Sequence, residues 1–463
     1  MWTAALLAVA LAAPEPGLDP TVAHALISEA VDSRGAHADL TRLVDEVGPR
    51  LSGSAGAERA VVWALDQFRA MGVEARREPV LVPVWVRGTE RGEVLAAAGR
   101  PGSPLALTAL GGSPGTPKGG IEGQVVEISS LAELQEKGAA VKGRVVFFNH
   151  AMGVPGDYRK FGELRTKGPA AAGKLGAVAA LVRSLATATL RSPHTGSTRF
   201  EEGAHLIPAA AISVEDAELL HRLVARGPVR VRLELGCRIL PEAMSSNVVA
   251  DLAGREHPEE VVLLGAHLDS WDLASGAQDD GAGVALVLET ARLLAKLPVR
   301  PRRTVRFVLY MNEENGLRGA KTYAAAHAAE LARHVAAMEM DAGAGKPLGV
   351  AVKAGPGGGA LVERWLPPLA AVGAGVLLPD EAGGADLSPL AAARVPVVSV
   401  IQDMSRYFDI HHSAADTLDK IDPEAFSKTS GAVVWVTYAL AESAEVLPRP
   451  PAPAPGAASG TGQ

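Results

Sequence analysis

With one cysteine, Cys237, in 463 residues, the chain has no means of forming an intramolecular disulfide or a zinc site built from several thiolates. No run approaches the ~18 uninterrupted apolar residues of a spanning helix, which argues against a membrane span. No long Lys/Arg patch occurs, and a net charge of −7 with a pI near 6.0 leaves no basic field to hold a polyanion, so nucleic acid is not expected as a partner. Aromatic residues make up only 4% although hydrophobic residues reach 48%; with 50 Gly and 32 Pro, this composition describes a small-residue core with many tight turns. The length favours two packed units over one.

The chain opens MWTAALLAVALAAPEP, an apolar run with a small-x-small site at Ala10-Leu11-Ala12. The pattern is that of an export signal cleaved after Ala12, giving a secreted or periplasmic protein, although no Lys or Arg precedes the run. An apolar N-terminal helix or a misassigned start is the alternative. Helical spacing marks 24–31 and 57–71, separated by the break EVGPRLSGSAG at 46–56. PVLVPVWV at 79–86 then changes the period to that of a strand.

Residues 115–240 have the character of a compact insert. RVVFFN at 144–149 is a buried strand, 167–183 reads as helix then strand, 207–212 as strand, 214–226 as helix and 229–235 as an alternating strand. His150, His194, His205 and His221 are scattered through it; they read as packed or solvated, with a substrate or lid role open for His194 and His205. From Met244 strands and helices alternate, as in an α/β sheet covered on both faces. Strands are expected at 248–252, 261–266, 303–311, 335–340 and 395–401, and helices at 281–296, 317–333, 360–372 and 423–446, the third interrupted by Pro367 and Pro368. The resulting division is 1–12 signal, 13–114 N-terminal part of the catalytic domain, 115–240 insert, 241–447 catalytic domain and 448–463 disordered tail.

The chemistry sits where strands end. His267 closes VVLLGAH and Asp279 follows in the next loop; Glu313 and Glu314 close VRFVLYMNEE, Asp341 closes VAAMEMD, and His411 and His412 follow VPVVSVI. In an open α/β sheet ligands bind outside the carboxyl ends of strands. Any one of these residues is unremarkable as a helix cap or surface group, but the set supplies what two divalent cations need: a bridging carboxylate, an imidazole and a further carboxylate for each, and a free carboxylate for the proton of the attacking water.

The strings GAHLDSWDLASGAQDDGAG, MNEENGLRGA, MEMDAG, GGADLSPLAAARVP and HHSAADT resemble, in order and spacing, the di-zinc exopeptidases of the aminopeptidase and glutamate carboxypeptidase family, nearest to its plasma glutamate carboxypeptidase branch. AVKGRVVFFN and GAVAALVRS in the insert are similar to the protease-associated domain of that branch. The resemblance implies an α/β fold with a mixed sheet covered by helices on both faces, an inserted protease-associated domain, two Zn²⁺ per chain, a short peptide substrate and a homodimer. It makes His267 and Asp341 ligands of one metal, Asp279 the bridge, and Glu314 and His412 ligands of the other; the ligand four residues before Asp416 is His412, which leaves His411 outside.

Glu313 is then the general base, projecting from an extended strand to the side opposite Glu314 and acting with a metal-bridging hydroxide. Asp269 is expected in the second shell, accepting the other ring N–H of His267, and Asp280 as a helix cap. Many relatives carry His after the Asp of the GG-x-D stretch; here Asp386 is followed by Leu387, so that contact does not carry over. Trp271, Asp272 and Tyr407 either line the pocket or pack. The expected activity is that of a carboxypeptidase or dipeptidase, with an aminopeptidase on the same core, a one-metal glutaminyl cyclase and an inactive binding protein as alternatives.

Overall fold

The computed structural model describes residues 18–97, 99–201, 203–379 and 382–452. The expected signal segment and residues 453–463 of the expected tail lie outside them. Two eight-stranded sheets organise the rest. The first runs in the order Glu74–Val86, Arg238–Leu252, Arg303–Tyr310, His257–His267, His334–Glu339, Val397–Gln402, Pro347–Lys353 and Leu377–Leu378. Its four central strands, from Arg303–Tyr310 to Val397–Gln402, are mutually parallel, and antiparallel pairs flank them.

Successive residues of a strand face opposite sides, and both sides are apolar here. Val262, Leu264, Val305, Phe307 and Leu309 pack into the large core with helices Pro20–Ser33, Ala55–Ala70, Ala282–Ala295 and Pro423–Glu442. Leu263, Val308 and Tyr310 pack on the other side against helices Arg318–Ala326 and Ser388–Ala392. The fold is thus a mixed sheet flanked by helices, with the carboxyl ends of its parallel strands at one edge.

The second sheet has the order Ser103–Pro104, Glu90–Val94, Arg230–Leu235, Ile121–Ile128, Val145–Phe148, Ala179–Arg183, Ala209–Ile212 and Leu107–Ala109, with its own apolar clusters on its two sides. Three of its strands precede residue 115, so the second unit reaches further toward the N-terminus than composition suggests. Those strands are two to five residues long and therefore carry little periodic signal.

Other expectations needed adjustment. The helix expected at 317–333 stops at Ala326 and resumes as a 3₁₀ turn at Leu331–Arg333. That expected at 360–372 splits into Gly358–Glu363 and a 3₁₀ segment Pro367–Val372, because two prolines remove consecutive N–H donors. The first residues of the expected tail are tied down: Arg449 Nη2 donates to Leu331 O (2.6 Å) and His334 O (2.9 Å), and Pro448 O accepts from Gly355 N (2.7 Å).

Helix Pro423–Glu442 closes the large core, begun by Asp422, whose carboxylate accepts from Glu424 N (2.9 Å). Its Trp435 is 2% exposed and donates through Nε1 to Trp365 O (2.7 Å). Trp435→Ala is expected to cost about 3–5 kcal/mol, the range for truncating a large core side chain, and chemical denaturation should read this loss while the folded protein still binds zinc.

Candidate metal centre

The parallel strands deliver the acidic and imidazole side chains to one place. His267 is the last residue of the central strand, and its imidazole is fully enclosed. Nε2 of His267 lies 3.1 Å from Asp279 Oδ1 and 3.6 Å from Asp341 Oδ1. On the other side of the same carboxylate, His412 Nε2 lies 3.2 Å from Asp279 Oδ2 and 3.0 Å from Glu314 Oε2. Asp279 therefore stands between two donor groups, His267 with Asp341 and His412 with Glu314. In each group the imidazole nitrogen and the Asp279 oxygen are within about 3 Å, as ligands of one ion must be.

His411 was expected to stand aside. Its ring stacks on that of His412 with centroids 3.5 Å apart, and its Nε2 lies 3.4 Å from Asp279 Oδ2. Asp279, His411 and His412 thus form one close donor triad, and His267, Asp279 and Asp341 another. Only His412 of the two neighbouring histidines also pairs with Glu314. His412 adopts a left-handed backbone, φ 59°, which turns consecutive imidazoles toward the same side.

The Glu313–Glu314 pair does not lie on a strand: the strand ends at Tyr310, and the pair occupies a turn entered through Asn312 at φ 75°. Asp269 shapes that turn. Its Oδ1 accepts from Asn312 N (2.7 Å) and Glu313 N (3.1 Å), so its carboxylate is committed to backbone. The expected bond from the His267 ring goes instead to the Asp269 backbone carbonyl (2.9 Å), the carboxylate being 3.9 Å away. The ring is still oriented, by the same residue through a different atom.

Asp280 caps as expected, accepting from Gly283 N (2.9 Å), and its other oxygen accepts from His267 N (3.0 Å). A Cβ on Gly283 would fall 1.9 Å from Met340 O, so glycine is what lets this helix start against the strand that carries Asp341. Asp272 is structural, whereas Trp271 both packs and lines the recess at the centre. Asp272 pairs bidentately with Arg87, at 3.0 Å from Nε to both oxygens, and Trp271 packs over Gly111 with its ring centroid 5.7 Å from that of His412.

Several further residues shape the centre. Asp416 accepts from Gln278 N (2.6 Å) and Asp279 N (3.2 Å), fixing the loop that presents the shared carboxylate. Glu339 accepts from Asp386 N (3.2 Å) and Leu387 N (3.0 Å), and burial pushes its carboxyl up to about 8. From the second unit, Tyr158 packs perpendicular to His411 with ring centroids 5.0 Å apart, and Thr195 N donates to His412 O (2.8 Å). Buried His194 lies in that loop, whereas His205 is exposed and away from the centre.

Electrostatics fit a cation pair. Burial raises Glu314 to about 7 and pushes Glu313 well above the usual carboxylate range, with Asp341 and Asp279 reinforcing the Glu313 shift. Burial also acts on Asp279, but bonds to His267 and His412 overcome it and hold that carboxylate well below its ordinary value. Buried Glu314 Oε1 accepts no hydrogen bond, and Asp279 Oδ2 faces the ring nitrogens of His412 and His411 at 3.2 and 3.4 Å. Enclosed carboxylate oxygens without donors are costly unless a cation meets them, and imidazole with carboxylate is a donor set that suits zinc.

Comparison with known proteins agrees with this geometry. A family model described as Peptidase family M28 matches residues 247–437. Carboxypeptidase Q of Homo sapiens is 36% identical over 433 residues, covering 92% of this chain and 90% of the human one. The chain belongs to peptidase family M28. Carboxypeptidase Q of Bos taurus is 37% identical over 413 residues, covering 89% of this chain and 86% of its own. The crystal structure of a peptidase M28 precursor from Shewanella amazonensis SB2B is 39% identical and superposes with a TM-score of 0.89, covering 93% of this chain and 99% of that one. An aminopeptidase from Aneurinibacillus sp. strain AM-1, at 21% identity and a TM-score of 0.66, shares the fold. As an M28 peptidase with two donor groups around one carboxylate, the protein is a zinc-dependent metallo-exopeptidase with a two-zinc centre.

Because both donor groups share Asp279, Asp279→Ala should reduce bound zinc from two ions per chain to fewer than one. Metal analysis of dialysed protein checks this, and retention of two ions would show that the carboxylate is not shared.

Proposed function

We propose that this protein hydrolyses dipeptides or short peptides as a carboxypeptidase or dipeptidase, with His267 and Asp341 on one zinc, Glu314 and His412 on the other, Asp279 between them and Glu313 as general base. The observation that carries the reading is the Asp279 carboxylate, one oxygen 3.1 Å from His267 and the other 3.2 Å from His412. Held by these donors, zinc would supply a Lewis acid to polarise the scissile carbonyl and to lower the pKa of water.

The chain's own groups do the rest. Glu313 is half-buried at the site, beside Glu314 yet absent from its ion pairs. Burial and acidic neighbours push its carboxyl upward, which raises its affinity for a proton. It takes the proton of the attacking water and returns it to the leaving amine. The Asp269 carboxylate holds the Glu313 backbone and its carbonyl holds the His267 ring, so one residue sets base and ligand relative to each other.

Short substrates are supported by the shape of the centre. Trp271, Ala274, Asp279, Glu314, His412 and Ser413 line a narrow recess, and Tyr158 and the Thr195 loop of the second unit stand against the histidines. The carboxypeptidase reading is supported by the names of the relatives matched over nearly the whole chain. The second unit is read as a protease-associated domain that narrows the entrance. Export is supported by the apolar run at the N-terminus. A homodimer is supported by the exposed apolar cross-strand pair Leu81 and Met244 on the antiparallel strands Glu74–Val86 and Arg238–Leu252 at the sheet edge.

Two measurements test the reading. Glu313→Gln should retain both zinc ions while kcat falls by roughly 10²–10⁴-fold, the usual contribution of a positioned acid–base group; near-normal hydrolysis would remove Glu313 from the mechanism. In a panel of dipeptides with free or blocked ends, amidation of the carboxyl end should abolish cleavage. Tolerance of amidation together with a strict need for a free amino end would instead identify an aminopeptidase.

A further inference from the structure

Arg50 lies in the glycine-, proline- and serine-rich break between two N-terminal helices and takes no part in the chemistry above, yet its side chain is fully enclosed beneath the metal centre. Nε donates to Leu268 O (2.7 Å), Nη1 to Ser275 O (2.5 Å) and Nη2 to Gly276 O (3.0 Å), while its backbone N–H donates to Ser270 Oγ (3.3 Å). These acceptors belong to two stretches, one leaving the strand at His267 and the other leading to Asp279. Two residues on, Ser52 Oγ accepts from Asn312 Nδ2 (2.6 Å), at the entrance of the turn that carries Glu313 and Glu314. A segment of three residues therefore touches the supports of a ligand on each zinc, of the shared carboxylate and of the base.

None of Arg50's hydrogen bonds goes to a carboxylate among the described residues. Its charge faces Asp416, Asp280, Asp269 and Asp279 through space, while its donors are spent on carbonyl oxygens. Only a planar fork meets three carbonyls in fixed directions and stays charged when buried; an ammonium on a flexible stem does not. We propose that Arg50, assisted by Ser52, is a positioning residue that sets the spacing between His267 and Asp279 and so the zinc affinity of the centre. The proposal rests on the two-zinc reading.

The test compares full-length wild type with Arg50→Lys and Ser52→Ala. Zinc affinity is measured by competition with a chromogenic chelator, folding of the zinc-free protein by circular dichroism, and kcat and KM on a dipeptide at saturating zinc. Arg50→Lys keeps the charge and loses the fork. It should weaken zinc binding roughly 10–100-fold, the range for residues that orient metal ligands, and lower kcat at least about tenfold with KM within about twofold. Zinc affinity and kcat within about twofold of wild type would overturn the proposal, as would a loss of folding stability with zinc affinity unchanged. If Arg50→Lys does not fold, Ser52→Ala decides: a zinc affinity weakened by about threefold or more with KM unchanged supports the proposal, and an unaltered affinity overturns it. Wild-type protein that holds no zinc would contradict the two-zinc reading itself.

Discussion

One buried carboxylate, Asp279, is the constraint on which the rest depends. Its two oxygens face imidazoles delivered by different parts of the chain, His267 from the central strand and His412 from a loop after another parallel strand. Around it the fold concentrates Asp269, Asp280, Glu314, Asp341, Asp386 and Asp416, with Arg50 the enclosed cation beneath. Such a collection opposes folding when uncompensated, since a buried charge without a partner is destabilising by several kcal/mol. Two divalent cations reverse the sign, so zinc binding and stability are linked in this protein.

The sheet makes this concentration possible. Parallel strands place their carboxyl ends at one edge, and each following loop offers one or two ligands, so residues from 267 to 412 meet without any local sequence motif spanning them. Support comes from outside the sheet. Arg50 arrives from an N-terminal connection, and Asp416 from the stretch before the closing helix. The second unit adds Tyr158 and the Thr195 loop on the solvent side. The recess left at the metals is small, which matches an enzyme for short peptides.

Much of this was legible in the sequence because the signals were local. Buried strands such as VVLLGAH and VRFVLYM read directly from apolar runs, and the ligands follow their ends. The histidine and carboxylate types at strand ends point to a two-metal site, and the family resemblance assigns Asp279 as the shared carboxylate. Less legible were features set by tertiary contact. Whether the carboxylate or the carbonyl of Asp269 meets the His267 ring depends on the turn at Asn312, which no pattern encodes. Arg50 sits in a stretch whose composition reads only as a break, because its importance lies in carbonyls more than 200 residues away in sequence. The short strands of the second sheet before residue 115 carry no periodic signal for a similar reason: pairing, not periodicity, makes them strands.

The claim that two zinc ions act together around Asp279 is tested most directly by titrating metal-free protein with zinc while following dipeptide hydrolysis. A co-catalytic pair predicts that full activity appears only as the second equivalent binds, with a break at two ions per chain. Full activity at one equivalent, with no change on adding the second, would contradict it.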